Sequence, residues 1–166
     1  MSNSHIADQR IQRLNDADCN NDGDYTLYWM QQSQRTECNH ALEFAVERAN
    51  ENNNRLLVCF ALAADYPDAN LRHYQFLLEG LQETAASLAD RKIKFALRIG
   101  SPTDIVKRLG RDASEVICDR GYLSHQVEWR RSLAGSLGCR VWQIESDAIV
   151  PVETASEKQE YAARTI

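Results

Sequence analysis

Residues 55–62 read Arg-Leu-Leu-Val-Cys-Phe-Ala-Leu, apolar at every position after the first. A strand with one wet face alternates polar and apolar side chains. A strand covered on both faces does not, and that is the pattern of a parallel strand lying under helices. The sequence before it agrees. Ala41, Leu42, Ala45, Val46 and Ala49 share one helical face, Thr36 is placed to cap that helix, and the asparagines at 52–54 end it. Earlier still, 25–30 (YTLYWM) is an aromatic strand behind the turn Gly23-Asp24.

The alternation continues downstream. A loop at 63–69 contains Tyr66-Pro67. A long helix follows, with Leu71, Tyr74, Leu78, Leu81, Ala85 and Leu88 at steps of three and four. Residues 93–99 (IKFALRI) form the next strand. Ser101 then caps a helix with Pro102 at its first position and Asp104 closing an S-x-x-D box. A short strand at 115–118 (EVIC) leads to a helix over 126–137, capped by Ser124 and stopped by Gly138. The last strand is 140–145 (RVWQIE). Five strands with helical crossovers predict a three-layer α/β domain over 25–152: an open five-stranded parallel sheet, Rossmann-like, with helices on both faces. Residues 1–24 are expected as an N-terminal extension, mildly helical over 5–14 (Ile6, Ile11, Leu14) and turn-rich after that. Residues 153–166 are expected as a polar linker or a short exposed helix.

Composition narrows the functional classes. The 166 residues are 43% hydrophobic and 26% charged, which suits one domain that buries roughly 70% of its unfolded surface. No apolar run nears the roughly 20 residues of a membrane span, and the first 24 residues contain no secretory h-region. A net charge of −5 argues against independent nucleic-acid binding. The five cysteines are odd in number and form no C-x-x-C, so neither a disulfide framework nor a zinc site is expected. They read as small hydrophobes in a reducing cytoplasm.

Ligands of open α/β sheets bind beyond the carboxyl ends of the strands. After the first strand, residues 31–35 (QQSQR) lack the glycines of a dinucleotide fingerprint or a P-loop. Gly100-Ser101 is a helix cap, or an anion site at a helix N-terminus. After the fourth strand, Asp119, Arg120 and Tyr122 bring a carboxylate, a guanidinium and a phenol to one mouth, with His125 and Trp129 close behind. That set suits a polar aromatic ligand; the plainer reading is an Asp–Arg pair and an anchored tyrosine at a sheet edge. His5, His40, His73 and His125 have no metal-ligand spacing and no neighbouring nucleophile. Lys107, Arg108 and Arg111 read as a solvated helix face, and Trp29, Trp129 and Trp142 as packing residues. The residues alone thus give an α/β domain with a ligand mouth and no visible catalytic machinery.

An ordered set of residues adds a resemblance. Tyr28-Trp29-Met30, Gln34-Arg35, Asn39 and Ala41-Leu42 resemble the opening of class II cyclobutane pyrimidine dimer photolyases. Residues 69–74 (ANLRHY), Phe76 and 78–81 (LEGL) are similar to their second helix, and 118–123 (CDRGYL) with Trp129-Arg130 to the segment after their fourth strand. Residues 145–147 (ESD), Val150-Pro151 and 160–166 (EYAARTI) resemble their exit into an interdomain linker. Ser124 stands where that family usually has arginine after Tyr-Leu.

The resemblance implies the light-harvesting, antenna-type N-terminal domain of a photolyase that repairs pyrimidine dimers with blue light. It implies a pigment, 8-hydroxy-deazaflavin first, held by Met30, Gln31, Gln32, Phe60, Ala61, Leu62, Asp119, Arg120, Tyr122 and Asp147, with Arg120 facing negative charge. FAD and damaged DNA belong to a helical partner domain to which nothing here corresponds. The chain alone is therefore expected to be non-catalytic, with none of its tryptophans relaying electrons and no metal. Apolar surface bared by that domain's absence would favour self-association. Two other readings stand beside this one. A universal-stress-type nucleotide-binding protein would need a Gly-rich loop after the fourth strand, where only Gly121 stands. A docking scaffold would bind no pigment.

Overall fold

The computed structural model describes residues 6–155. The decisive run is β3 (Arg55–Leu62), paired in parallel with β2 (Tyr25–Trp29) on one side and β4 (Lys94–Ile99) on the other. β5 (Ala113–Asp119) pairs with the far side of β2, and β6 (Arg140–Ile144) with β5, all in parallel. The five expected strands are present. A sixth, β1 (Ile11–Arg13), lies antiparallel on β6, giving the order β1-β6-β5-β2-β3-β4.

That sixth strand corrects the helix expected over 5–14. Only Asp8–Arg10 is helical, as one 3₁₀ turn, before β1 begins. A ten-residue helix is marginal by itself, whereas the open edge of β6 offers unpaired backbone groups. Leu14 N donates to Val141 O at 2.8 Å, and Glu145 N to Arg10 O at 3.0 Å. The Arg10 guanidinium donates to the carbonyls of Glu145, Ala148 and Ile149 at 3.1, 2.8 and 2.7 Å.

Both sheet faces are covered, which explains the unbroken apolar strands. Tyr28, Met30, Val58 and Phe60 pack under α1 (His40–Glu51) and α2 (Leu71–Asp90). Leu27, Trp29, Cys59 and Cys118 pack under α3 (Pro102–Gly110) and α4 (Ser124–Ala134). Ser101 caps α3 as expected. α1 is capped by Asn39 rather than Thr36, because the Asn39 amide is anchored to the carbonyls of Ser33 and Arg35 while its oxygen accepts from Leu42 N. The buried stripe of α2 runs through Tyr74, Leu77, Leu81, Thr84 and Leu88. Leu71 and Leu78, expected inside, are exposed beside Phe76. α4 runs from Ser124 to Ala134, so Ser124 is its first residue and Leu123 the N-cap, and the helix is stopped by Gly135, not Gly138. After β6 the chain makes one further turn, α5 (Val152–Ala155). The rest of the expected linker, 156–166, and His5 lie outside the described residues. Among the described residues no helix is long and apolar enough to cross a membrane.

Cys59, Cys118 and Cys139 are buried in the sheet and beside it, and all five cysteines are free. Burial pushes the thiols of Cys59 and Cys139 up to about 11 and that of Cys118 up to about 12. Cys38 is exposed and Cys19 half-buried. A thiol reagent near pH 8 should therefore modify Cys38 first and Cys19 more slowly. The other three should react at least ~100-fold more slowly, on unfolding. Mass mapping of the labelled chain checks this; early labelling of Cys118 would contradict the packing.

Candidate functional site

The strand order reverses at β2: β3 and β4 build outward on one side, β5 and β6 on the other. The loops after β2 and β5 face each other at that switch point, where α/β sheets hold ligands. Here the chain fills the position with its own anion. Oδ2 of Asp119, the last residue of β5, accepts from the backbone N–H groups of Gln31, Gln32 and Ser33 at 2.8, 2.7 and 3.0 Å. Oδ1 accepts from the Tyr28 hydroxyl at 2.7 Å. Three successive N–H groups make the kind of anion-binding concavity that phosphate loops use. Burial raises the pKa of Asp119, and the hydrogen bonds from Ser33, Gln31, Tyr28 and Gln32 pull it back. Burial and the adjacent carboxylate hold the Tyr28 phenol well above its ordinary value, so it stays a donor. Asp119 and Met30 consequently lie beneath the surface, not on it.

Arg120, Tyr122 and Asp147 belong to a second cluster, beside β6. Arg120 pairs with Glu145 at 3.2 Å and Glu153 at 2.8 Å, so its charge is met by two carboxylates of the chain. Asp119, one residue away, is not among its ion-pair partners. The Tyr122 hydroxyl and Val152 N both donate to Glu145 Oε1, at 2.8 and 2.9 Å. Burial and Glu145 push the Tyr122 phenol up. Asp147 accepts from Ser33 Oγ at 2.5 Å and faces Arg35 at 3.6 Å. These contacts tie the segment after β6 to the sheet. Of the two glutamates that pair with Arg120, Glu145 stood in the sequence only as part of the 145–147 motif and Glu153 was not singled out, because nothing in their spacing from Arg120 marks them.

The remaining expected residues meet at a cleft. Gln31, Gln32, Phe60, Ala61 and Leu62 line a cavity of about 300 Å³ beyond the carboxyl ends of β2 and β3, between α2 and α4. Leu77 and Pro102 extend its apolar wall, and Tyr66, Tyr74 and Trp129 supply aromatic faces that sequence reasoning had not assigned to it. Their signal was position: Tyr66 is in the loop after β3, and Tyr74 in the first turn of the next helix. The aromatic wall is braced. Tyr66 N donates to Tyr74 Oη at 3.1 Å, and Tyr74 Oη donates to Ala63 O at 3.0 Å. Tyr66 Oη lies 3.1 Å from His125 Nε2, and the His125 ring meets those of Tyr66 and Trp129 edge-on at 5.3 and 5.0 Å. His73 accepts from Asn70 N through Nδ1, a helix-capping role at the rim. No Asp, Glu, Lys or Arg lines the cleft. Its chemistry is stacking and amide hydrogen bonding, suited to a flat multi-ring molecule. Among the described residues no group of three side chains is placed to hold a metal ion.

Comparison with known proteins agrees with this architecture. The DNA photolyase family model matches residues 26–166. The deoxyribodipyrimidine photo-lyase of Methanothermobacter thermautotrophicus is 45% identical over 157 residues, covering 95% of this chain and 35% of that protein. The one from Potorous tridactylus is 35% identical over 164 residues, covering 95% and 31%. The chain thus spans about a third of the length of these curated relatives. A bacterial class III photolyase from Agrobacterium tumefaciens shares the fold, with a TM-score of 0.59 at 18% identity over 74% of this chain and 26% of that one. The family match runs from the second residue of β2 through the whole parallel sheet that carries the cleft, and on that footing the chain belongs to the DNA photolyase family.

Proposed function

We propose that this chain is the N-terminal α/β domain of a class II cyclobutane pyrimidine dimer photolyase, and that its cleft seats an antenna pigment of the 8-hydroxy-deazaflavin kind. The cleft itself carries the reading: about 300 Å³ at the strand ends, with four aromatic side chains, Phe60, Tyr66, Tyr74 and Trp129, and no Asp, Glu, Lys or Arg. That volume and lining suit a flat multi-ring molecule. When bound, such a pigment absorbs near-ultraviolet or blue light and passes the energy to a flavin. Tyr66, Tyr74 and Trp129 supply the faces on which the rings stack, and Phe60 and Leu62 keep water from the buried end. Arg120, already paired with Glu145 and Glu153, is left out of this seat. The motifs at 28–35 and 118–123 support class II membership. FAD and the damaged DNA are assigned to a helical partner domain, which the greater length of the relatives supports.

The test is a titration of the purified chain with 8-hydroxy-5-deazariboflavin, flavins and folate, followed by absorbance and fluorescence. One pigment should bind saturably at one to one. Ala69→Trp, at the rim of the cleft and outside any helix or strand, should weaken that binding at least ~10-fold by occupying the seat, with little change in melting temperature. No binding by the unmodified chain, or unchanged affinity in Ala69→Trp, would remove the pigment from this cleft.

A further inference from the structure

α4 separates two openings. Gln126 and Trp129 face the cleft at the strand ends, whereas Val127 and Arg131 face a groove of about 840 Å³ between α4 and the β1–β6 edge of the sheet. The groove begins at Tyr122 and Glu153, beside the carboxyl end of β5, and reaches Asp16 and Gly135, where α4 stops. Its wall is apolar at Leu14, Val127 and Ala134 and basic at Arg120, Arg130 and Arg131. The basic charge is incompletely met. Arg120 pairs with Glu145 and Glu153. Arg130 is 4% exposed and donates only to neutral oxygens, those of Gln143, Gln126 and Gly121 at 2.6, 3.2 and 2.6 Å. Arg131 is exposed and has no ion-pair partner among the described residues. The acid at the far end, Asp16, is one charge against two.

α5 enters this groove at its near end, held by Val152 N on Glu145 Oε1 at 2.9 Å and by Glu153 on Arg120 at 2.8 Å. Beyond Ala155 the sequence continues for eleven residues, 156–166 (SEKQEYAARTI). Counted at helical spacing from α5, that sequence sorts into two stripes. Glu153, Glu157 and Glu160 stand at i, i+4 and i+7, so the acid already paired with Arg120 is the first of three in a row. Val152, Ala155, Ala162, Ala163 and Ile166 form the other stripe. At about 1.5 Å per residue Glu160 falls ~10 Å beyond Glu153, and Arg131 lies as far along α4 from its first residue, Ser124. Eleven residues of helix match the 11 of α4, the length of the groove wall. Small side chains at 155, 162 and 163 permit close approach to Tyr122 and Val127, which are 44% and 36% exposed. We propose that residues 156–166 extend α5 and occupy this groove, acidic stripe toward Arg131 and apolar stripe toward Tyr122 and Val127. The groove then sets the direction in which the chain leaves the sheet, parallel to α4. The proposal does not depend on the pigment seat, which lies across α4.

Hydrogen exchange read by mass spectrometry tests this on the full 166-residue chain, with a synthetic peptide of residues 152–166 as the unprotected reference. Amides of 157–166 should exchange at least ~10-fold more slowly in the chain than in the peptide. Arg131→Glu should cut that protection at least ~3-fold, and Glu160→Arg combined with it should restore it, the size expected of a surface charge pair reversed and re-made. Val127→Asp should bring exchange to within ~2-fold of the peptide. In each variant the amides of β2, β3 and β5 serve as the control for folding and should keep their protection. Exchange of 157–166 at the peptide's rate in the unmodified chain overturns the proposal without any variant. Protection that survives both Arg131→Glu and Val127→Asp places the segment elsewhere and overturns it too. Protection that grows with chain concentration means that the segment enters the groove of a second copy, and overturns the intramolecular form.

Discussion

Asp119→Ala should lower the stability of the domain by about 4 kcal/mol, the size expected when a buried, multiply bonded charge is removed. The loss has a definite origin. Three backbone N–H groups lose their shared acceptor, and the Tyr28 phenol its shorter one, at the switch point where β2 and β5 end. Asparagine restores it only in part, since its amide carries no negative charge for the three N–H groups and offers one acceptor oxygen where the carboxylate has two. Urea unfolding measures the loss, and a value below ~1 kcal/mol would mean that the loop after β2 needs no anion. The alanine variant also opens the concavity, so acetate or formate should raise its melting temperature more than that of the unmodified protein. pH supplies a further sign. Burial raises the folded-state pKa of Asp119, so its stabilising contribution is complete below the unfolded value, about 3.9, and declines as pH rises through the folded one. The cost of Asp119→Ala should therefore be at least as large near pH 4 as near pH 7, opposite to the behaviour of a carboxylate whose pKa an ion pair has lowered.

Glu115→Ala should cost a similar amount, about 3–5 kcal/mol, and leave ligand binding intact. Glu115 is completely buried and accepts from Arg48 Nε at 2.8 Å, Asn52 Nδ2 at 2.6 Å and Trp142 Nε1 at 2.8 Å. These bonds join the end of α1 to β5 and β6. Removing the acid strands the mostly buried Arg48, which keeps only its helix neighbour Glu51 as an ionic partner. Because the loss is chiefly that of an orphaned charge, Glu115→Leu combined with Arg48→Met should recover most of it. A double-mutant cycle by urea unfolding checks this, and additive losses would refute the coupling. Glu115 lies in the first half of β5, while the cleft lies beyond the carboxyl ends of β2 and β3. The two substitutions thus separate. Asp119→Ala should impair both stability and the cleft, through the backbone of Gln31 and Gln32, whereas Glu115→Ala should impair stability alone.

The parallel strands were legible because burial on both faces leaves its mark on every residue, as in 55–62. β1 was not, because one half-buried and two exposed residues carry no periodicity and owe their conformation to a strand more than a hundred residues away. The buried stripe of α2 was off by one position at Leu77 and Leu78, since a run of two leucines satisfies either face until the sheet selects one. Of the residues the resemblance implied for a pigment, Gln31, Gln32, Phe60, Ala61 and Leu62 line the cleft; the strand-end rule alone reaches Gln31 and Gln32. The charged residues, which that rule also reaches, line it nowhere. A carboxylate or guanidinium looks available to a ligand until its partners are known, and those of Asp119 lie 86 to 91 positions earlier. Arg120 was taken up by glutamates 25 and 33 residues later.

The short strand at the edge of the sheet has a mechanical consequence. Ile11, where β1 begins, is paired with Ile144, where β6 ends, so the two chain ends leave the sheet side by side. A tension drawn between them loads the Arg10 clamp first, then that pair, and peels β1 away one residue at a time, as a zipper opens, because the force never acts along the whole strand at once. The parallel strands behind it are spared until β1 and the Arg10 clamp have let go. Whatever pulls on the segment after β6 therefore meets a weak, reversible fuse ahead of a stiff body.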